Sequence, residues 1–242
     1  MTRIFIKDVI ELHNAHCLTG DNAHYLLSVL RMRDGEQLDV VDGTGCVYHA
    51  FVSAAGKDQC ILTPVGRQEG THEPNARIIL YQSVSKGERM DLTIQKSVEL
   101  GVQKIVPVIS DRCVVKLDGK SGKSDRWQKI ALEAARQSGR DIVPVVTEPV
   151  RFAQAVKNAG AGLKIIPWEE ARGVTLRDVL TERGEAESVI SVFIGPEGGF
   201  TAAEADMARG NDIVPVTLGP RILRTETAGP AVLAMIMYET EM

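Results

Sequence analysis

The sequence of 242 residues has no apolar run of about 18 residues, the length that a membrane-spanning helix needs. Its first eight residues also lack the apolar segment and cleavage site of a secretory signal. The hydrophobic fraction of 44% and the charged fraction of 25% are typical of a soluble globular protein. We therefore expect a cytoplasmic protein with no membrane association.

Cysteine is scarce, and its spacing excludes the common metal and redox motifs. Four cysteines are scattered at positions 17, 46, 60 and 113, with no C-x-x-C pair. The five histidines lie within the first 72 residues, and no two have the spacing of a zinc-binding H-E-x-x-H helix. These patterns predict reduced cysteines that pack as apolar side chains, and no metal.

A basic excess, which usually marks a protein that binds naked nucleic acid, is also missing. The net charge is −4, and residues 1–74 carry 6 Lys and Arg against 10 Asp and Glu. No G-x-G-x-x-G follows a predicted strand, and the P-loop-like segment 119–124 has Leu117 where that motif needs its first glycine. Dinucleotide binding and nucleotide hydrolysis are therefore disfavoured, and any binding of RNA must depend on local patches.

The order of the predicted strands and helices indicates two domains. Residues 1–70 contain short strands at 3–6, 37–41, 47–52 and 59–65 and one helix at 21–30, a pattern typical of a small β-barrel. A polar linker with Gly70 and Pro74 follows. From residue 75 to residue 242 strands alternate with helices, which predicts an α/β domain with a mostly parallel sheet. Its strands are expected at 77–82, 104–109, 141–146, 163–168, 189–194 and 212–218, and its helices at 88–100, 125–138, 151–159, 175–182, 201–208 and 228–239.

Two loops at strand ends carry the strongest functional signal. One is the segment 195–200, Gly-Pro-Glu-Gly-Gly-Phe, and the other is the segment 218–228, which contains Arg221, Arg224 and Glu226. Open α/β sheets bind ligands at the carboxyl ends of their strands, and glycine lets a ligand approach the main chain. The alternatives are a tight turn into a capped helix for the first loop and a surface ion-pair network for the charges of the second.

Long motifs in a fixed order identify a family. The chain resembles the bacterial 16S ribosomal RNA (uridine-N3) methyltransferases of the SPOUT superfamily over nearly its whole length. The resemblance is carried by residues 3–5, His24 with 29–35, 82–90, 94–102, 110–113, 127–131, 135–140 and the two loops.

The resemblance implies a fold and a cofactor. The fold is an N-terminal PUA-like RNA-binding β-barrel, at 1–70, followed by an α/β SPOUT domain with a trefoil knot, at 75–242. The family works as a homodimer, and the apolar stretch 232–238, expected to be buried on every side, agrees with this. The cofactor is S-adenosyl-L-methionine, held at positions matching Pro167, Trp168, Ile194, Gly195, Pro196, Glu197, Gly198, Leu218, Gly219, Ile222 and Leu223.

The resemblance also implies a reaction, methylation of N3 of a uridine in 16S ribosomal RNA. The acidic net charge predicts weak binding to naked RNA, and therefore the assembled small subunit as the substrate. We expect Arg224 to stabilise negative charge on the uracil oxygens, and Glu226 or Glu197 to orient groups or relay the proton. A SPOUT enzyme acting on transfer RNA and a non-catalytic RNA-binding adaptor are the alternatives. The candidate phosphate contacts, which could equally be solvated surface residues, are Arg3, Arg31, Arg33, Lys86, Arg89, Arg112 and Lys116.

Overall fold

The structure is a computed structural model that describes residues 2–70, 72–114, 122–182 and 189–241. The chain divides into two compact units: residues 1–73 with 135–143, and residues 74–134 with 144–242. No helix within the described ranges is long and apolar enough to cross a membrane. The same ranges contain no group of three or more His, Cys, Asp or Glu side chains that could hold a metal ion.

The first unit is built on a curled five-stranded sheet, which confirms the predicted barrel-like β domain. The strand order is β1-β3-β4-β5-β2, with β1 parallel to β3 and the other pairs antiparallel. Strand β2 was not predicted, because three residues are too few to show an alternating pattern. The strands are β1 (Arg3–Phe5), β2 (His16–Leu18), β3 (Gln37–Val41), β4 (Val47–Ala55) and β5 (Cys60–Gln68).

The predicted helix of the first unit is present but changes its winding. Helix α1 (Gly20–His24) continues into a π-helical turn over Tyr25–Val29, in which the amide of Leu30 donates to the carbonyl of Tyr25 at 2.9 Å. Arg31 then adopts a left-handed conformation with φ of 57°. The segment buries Leu26 in the core of the unit.

Arg3 forms the buried polar centre of the first unit, and the expectation that it contacts RNA phosphate is wrong. Its side chain is 6% exposed and pairs with Asp39 at 3.3 Å and with Asp141 at 2.7 Å. It also donates to the main-chain carbonyls of Gly139 and Arg140. Because the guanidinium is buried and its donors are used inside the protein, it is not presented to a phosphate.

The second unit contains a seven-stranded sheet in which every pairing is parallel, as predicted. The order is β12-β10-β11-β6-β7-β8, and β9 also pairs with β7. The strands are β6 (Arg77–Ser83), β7 (Lys104–Ile109), β8 (Val145–Val146), β9 (Val150–Arg151), β10 (Leu163–Pro167), β11 (Val189–Ile194) and β12 (Val214–Val216).

One predicted strand, at 141–146, is reduced to the two residues of β8. The amides of Asp141 and Ile142 donate to the carboxylate of Glu73 instead of to a neighbouring strand. Pro144 has no amide hydrogen to donate. The prediction of a strand over 141–146 is therefore wrong outside Val145–Val146, and Val145 is 56% exposed.

The predicted helices are present with small shifts of their ends. Thr201 and Glu204 form a capping box: the Thr201 hydroxyl accepts from the Glu204 amide at 3.2 Å, and the Glu204 carboxylate accepts from the Thr201 amide at 2.9 Å. This cap fixes the end of the Gly195–Phe200 loop. The helices are α2 (Glu88–Glu99), α3 (Lys123–Ser138), α4 (Phe152–Asn158), α5 (Leu176–Glu182), α6 (Ala202–Arg209) and α7 (Thr225–Glu241).

Helix α7 differs from the prediction at its start and in its burial. It begins at Thr225 rather than at 228, so that Arg224 directly precedes it. Gly229 lets it approach β6 closely, since a Cβ atom there would lie 3.1 Å from Oε1 of Gln82. In the single chain Met235 is 45% exposed and Tyr238 is 66% exposed. The stretch 232–238 is therefore not buried on every side within one chain, and its full burial stays a prediction for the dimer.

We expect the Arg3→Ala variant to lose about 3–5 kcal/mol of unfolding free energy, because it leaves two buried carboxylates without their cation. Urea unfolding followed by circular dichroism measures this loss. Arg33→Ala, which removes an equal charge from an exposed position of the same unit, is the control and should change stability by less than about 0.5 kcal/mol. Equal stability of the two variants would contradict the structural role of Arg3.

Candidate active site

A cavity of about 830 Å³ lies where three neighbouring strands of the second unit end. Strands β10, β11 and β12 are parallel, so their carboxyl ends meet at one edge of the sheet. The loops that follow them, at 167–173, 194–200 and 217–223, line the cavity. Its volume is within the range of cofactor sites, roughly 300–1,000 Å³.

Most of the predicted cofactor residues line this cavity. Of the eleven, Glu197 and Gly198 lie outside its lining and nine belong to it. The two exceptions occupy the turn of their loop that faces Arg89 and Arg112. The nine are Pro167, Trp168, Ile194, Gly195, Pro196, Leu218, Gly219, Ile222 and Leu223.

The predicted cofactor set omitted twelve of the 21 residues that line the cavity, among them the loop after β10 beyond Trp168. Strand β10 continues into a loop that ends at Gly173, whose φ of 85° requires glycine. The rule that loops at carboxyl strand ends bind ligands applied equally to this loop, and it would have found the segment. The lining residues outside the predicted set are Glu169, Glu170, Ala171, Arg172, Gly173, Gly199, Phe200, Thr217, Pro220, Arg221, Thr225 and Ala228.

Thr225 connects the three elements around the cavity. Its hydroxyl donates to the carbonyl oxygen of Gly195 at 2.6 Å and accepts from the side-chain amide of Gln82 at 2.9 Å. Both side chains are buried. The bridge therefore holds the start of α7 to the loop after β11 and to β6. A glutamine within an otherwise apolar strand was the sequence signal for Gln82.

The main chain forms much of the wall. Gly219 has φ of 103°, a conformation that L side chains rarely adopt, and a Cβ atom at Gly195 would lie 3.2 Å from the ring of Phe200. Trp168 contributes an aromatic surface, and its buried indole nitrogen has no hydrogen-bond partner within the described parts of the chain. The cavity thus offers backbone groups, an aromatic side chain and an unused donor to an elongated ligand.

The two predicted catalytic carboxylates differ in their surroundings. Glu197 accepts from Arg89 at 2.9 Å and from the amide of Lys86 at 3.3 Å. Burial acts to raise the pKa of Glu197, but hydrogen bonds from its own amide, from Lys86 and from Arg89 outweigh burial, and the pKa lies below its ordinary value. Glu226 lies 3.7 Å from Arg89 through Oε1, while its buried Oε2 has no partner within the described residues. Glu226 therefore retains an acceptor for a ligand.

Arg224 is exposed immediately before α7, and its carbonyl accepts from the amides of Thr227 and Ala228. Its side chain makes no ion pair or hydrogen bond with any other part of the chain that the structure describes. The same is true of Arg221, which lines the cavity. A surface ion-pair network therefore does not account for these two arginines.

The remaining predicted RNA contacts fall into two groups. Arg31 and Arg33 are exposed in the first unit, and Lys86 is exposed in the second. Two further arginines of the second unit instead contact the turn after β11: Arg89 pairs with Glu197, and Arg112 donates to the carbonyl of Gly198 at 2.7 Å. Lys116 lies outside the described residues.

Comparisons with known proteins agree with this architecture. A family model described as an RNA methyltransferase domain matches residues 72–237, and one described as an RNA methyltransferase PUA domain matches residues 18–65. The ribosomal RNA small subunit methyltransferase E of Bacillus subtilis is 33% identical, over 100% of this chain and 98% of its own.

Solved structures show the same likeness. The ribosomal RNA small subunit methyltransferase E of Neisseria gonorrhoeae, bound to S-adenosyl methionine, is 35% identical with a TM-score of 0.88, covering 98% of this chain and 97% of its own. A methyltransferase of Legionella pneumophila with bound cofactor SAM is 34% identical with a TM-score of 0.89 and the same coverage. The match of the family model over more than half of the chain, together with full-length relatives above 30% identity, shows that this chain belongs to the RNA methyltransferase family.

Proposed function

We propose that this protein transfers a methyl group from S-adenosyl-L-methionine to N3 of a specific uridine in 16S ribosomal RNA. The observation that carries the proposal is the cavity at the ends of β10, β11 and β12, which is lined by nine of the residues that the resemblance implies for the cofactor. Its relatives are named as methyltransferases of small-subunit ribosomal RNA, which favours this substrate over transfer RNA.

The residues of the cavity fit the cofactor. Main-chain groups of the loops at 194–196 and 218–223 suit its polar parts, and the indole of Trp168 offers an apolar surface with an unused donor. When bound, S-adenosylmethionine supplies a methyl group on a positively charged sulfur. Glycine at positions 195 and 219 leaves the main chain free of bulk where the ligand would approach it.

The polar residues around the start of α7 would act on the uridine. The free Oε2 of Glu226 is the acceptor that we assign to the N3 hydrogen, and the guanidinium of Arg224 is the donor for the uracil oxygens as negative charge develops. Glu197 is less suited to take a proton, because hydrogen bonds hold its pKa low. Holding both reactants in line can supply roughly 7–11 kcal/mol of the rate enhancement.

The RNA must present an unstacked base, since the edges of paired bases in A-form RNA are out of reach. We propose that residues 1–70 bind the RNA backbone through Arg31 and Arg33 while residues 75–242 carry out the transfer. The net charge of −4 supports weak binding to naked RNA and dependence on the assembled small subunit in the cytoplasm.

A homodimer and a knotted chain are part of the proposal. The apolar side chains of Met235 and Tyr238, exposed on α7, would be covered by a second copy. A trefoil knot is supported by the path of the chain: β12 lies at the edge of the sheet, beyond β10 and β11, yet the following helix α7 packs against β6 and α2 near its Gly229.

The decisive experiment is mass spectrometry of 16S ribosomal RNA from cells that lack the gene, with and without complementation. Loss of one 3-methyluridine, and its return with the wild-type chain, is the expected result. Unchanged ribosomal RNA together with a missing methyl group in transfer RNA would overturn the assignment. Failure to bind S-adenosylmethionine in calorimetry would favour a non-catalytic RNA-binding adaptor.

Arg224→Ala should lower turnover about 100- to 1,000-fold, the loss typical of removing one donor to a developing oxyanion. Cofactor affinity should stay within twofold, because the side chain contacts none of the described wall. Single-turnover methylation of small subunits and calorimetry measure the two quantities. Turnover near that of the wild type would remove Arg224 from the mechanism.

Thr225→Val should weaken cofactor binding about tenfold, since it removes the donor to the buried carbonyl of Gly195 at a cost of ~1–3 kcal/mol and leaves the side-chain amide of Gln82 with the carbonyl of Ser83 alone. Thr225→Ser keeps the hydroxyl and is the matched control, expected to bind within about twofold of the wild type. Calorimetry with S-adenosylmethionine compares the three proteins. Equal affinity of the valine variant would show that the bridge does not shape the site.

Met235→Glu should convert the dimer into a monomer, because it places a charge within the apolar face of α7. Met207→Glu, the same substitution at a 41% exposed position on α6, should leave the dimer intact. Sedimentation velocity at matched protein concentrations measures the oligomeric state of each variant. A dimer in both variants would place the subunit interface elsewhere.

A further inference from the structure

Arg89 connects the two carboxylates of the candidate site. It lies in the first turn of α2, and Gly87 before that helix has φ of 66°. Its Nη1 donates to Oε1 of Glu197 at 2.9 Å, and its Nε lies 3.7 Å from Oε1 of Glu226. The guanidinium of Arg89 thus faces two carboxylates, one from the loop after β11 and one from the first turn of α7.

The turn at 197–198 is held from a second side as well. Arg112 donates to the carbonyl of Gly198 at 2.7 Å, and the amide of Lys86 donates to the carboxylate of Glu197. A Cβ atom at Gly198 would lie 3.3 Å from the aliphatic part of Arg112. The turn is therefore supported by the residues around the start of α2 and by the loop after β7.

The charges make Arg89 the central member of this group. Glu197 and Glu226 bring two negative charges close to one cation, and Arg89 is the described side chain that pairs with both. A planar guanidinium can contact two acceptors at once, which an ammonium group cannot do with the same geometry. Without it the two carboxylates would repel each other and turn towards solvent.

We infer that Arg89 is a positioning residue for methyl transfer: it holds Glu226 and Glu197 in their working orientation and does not serve as a phosphate contact. This inference rests on the proposed function. It replaces the sequence-based expectation that Arg89 binds RNA phosphate. The lowered pKa of Glu197, to which Arg89 contributes, agrees with a pair formed within the site.

Arg89→Ala should lower kcat for methylation of small subunits about 10- to 100-fold, the range for a displaced catalytic group. KM for the subunits and the Kd for S-adenosylmethionine should stay within twofold, and the dependence of RNA affinity on salt should be unchanged. Arg89→Lys should recover part of kcat, since it restores the charge without the planar geometry.

Two variants serve as comparisons. Arg126→Ala removes an exposed arginine of α3 that pairs with Asp91 on α2, the helix that carries Arg89, and should leave kcat, KM and Kd unchanged. Lys86→Ala removes a side chain still predicted to contact phosphate, and should weaken RNA binding and reduce the salt slope by about one. Arg89→Ala should resemble neither of these variants.

The same substitution is also tested in a chain that carries both Glu197→Gln and Glu226→Gln. There Arg89→Ala should lower kcat by less than a further twofold, because the carboxylates that Arg89 orients are no longer present.

A raised KM and a smaller salt slope for Arg89→Ala, with kcat unchanged, would overturn the inference and make Arg89 a phosphate contact. If the wild-type chain methylates no RNA, the proposed function fails, whereas the pairing can still be measured. Titration of the Glu197 carboxyl by NMR should then show a higher pKa in Arg89→Ala and Arg89→Lys than in the wild type. An unchanged titration would overturn the pairing, and thermal unfolding of each variant confirms that it is folded.

Discussion

The hydroxyl of Thr225 is the contact on which the geometry of the site depends. It joins the side chain of Gln82 on β6 to the main chain at Gly195, and it does so from the first residue of α7. The start of that helix is therefore fixed relative to two strands, and so are the residues on either side of Thr225. Arg224 is exposed before the helix and Glu226 is partly buried within its first turn, because the residue between them is held in place.

Several arginines of the chain are paired within their own unit, whereas others have no partner among the described residues. Arg3, Arg89 and Arg112 are engaged by carboxylates or carbonyl groups, so they hold segments of the chain together. Arg221 and Arg224 have no such partner within the described residues. An enzyme that must bind RNA as well as a cofactor needs both paired arginines, which hold the chain together, and unpaired arginines, which can contact a ligand. The sequence alone does not show to which of the two groups an arginine belongs.

Much of the fold could be predicted because its signals are local. Alternating strands and helices, the capping box at Thr201 and the glycine-rich loop after β11 depend on residues close together in the sequence. The failures involve partners that are distant in the sequence: Glu73 takes the amides that would have extended β8, and Asp141 takes the guanidinium of Arg3. Nine of the predicted cofactor residues line one cavity. The hydrogen bond from Gln82 to Thr225 could not be predicted, because the two residues are 143 positions apart and no local sequence pattern indicates their contact.

The close packing of Gly229 has a consequence for how this family can vary. A methyl group at that position would press on Oε1 of Gln82, whose amide nitrogen holds the hydroxyl of Thr225. The effect would pass through the side chains of Gln82 and Thr225 to the carbonyl of Gly195, although the substituted residue does not itself line the cavity. Along α7, tolerance to mutation should therefore be lowest at a position that never touches the ligand, and an inherited change there would resemble a defect of the cofactor site itself.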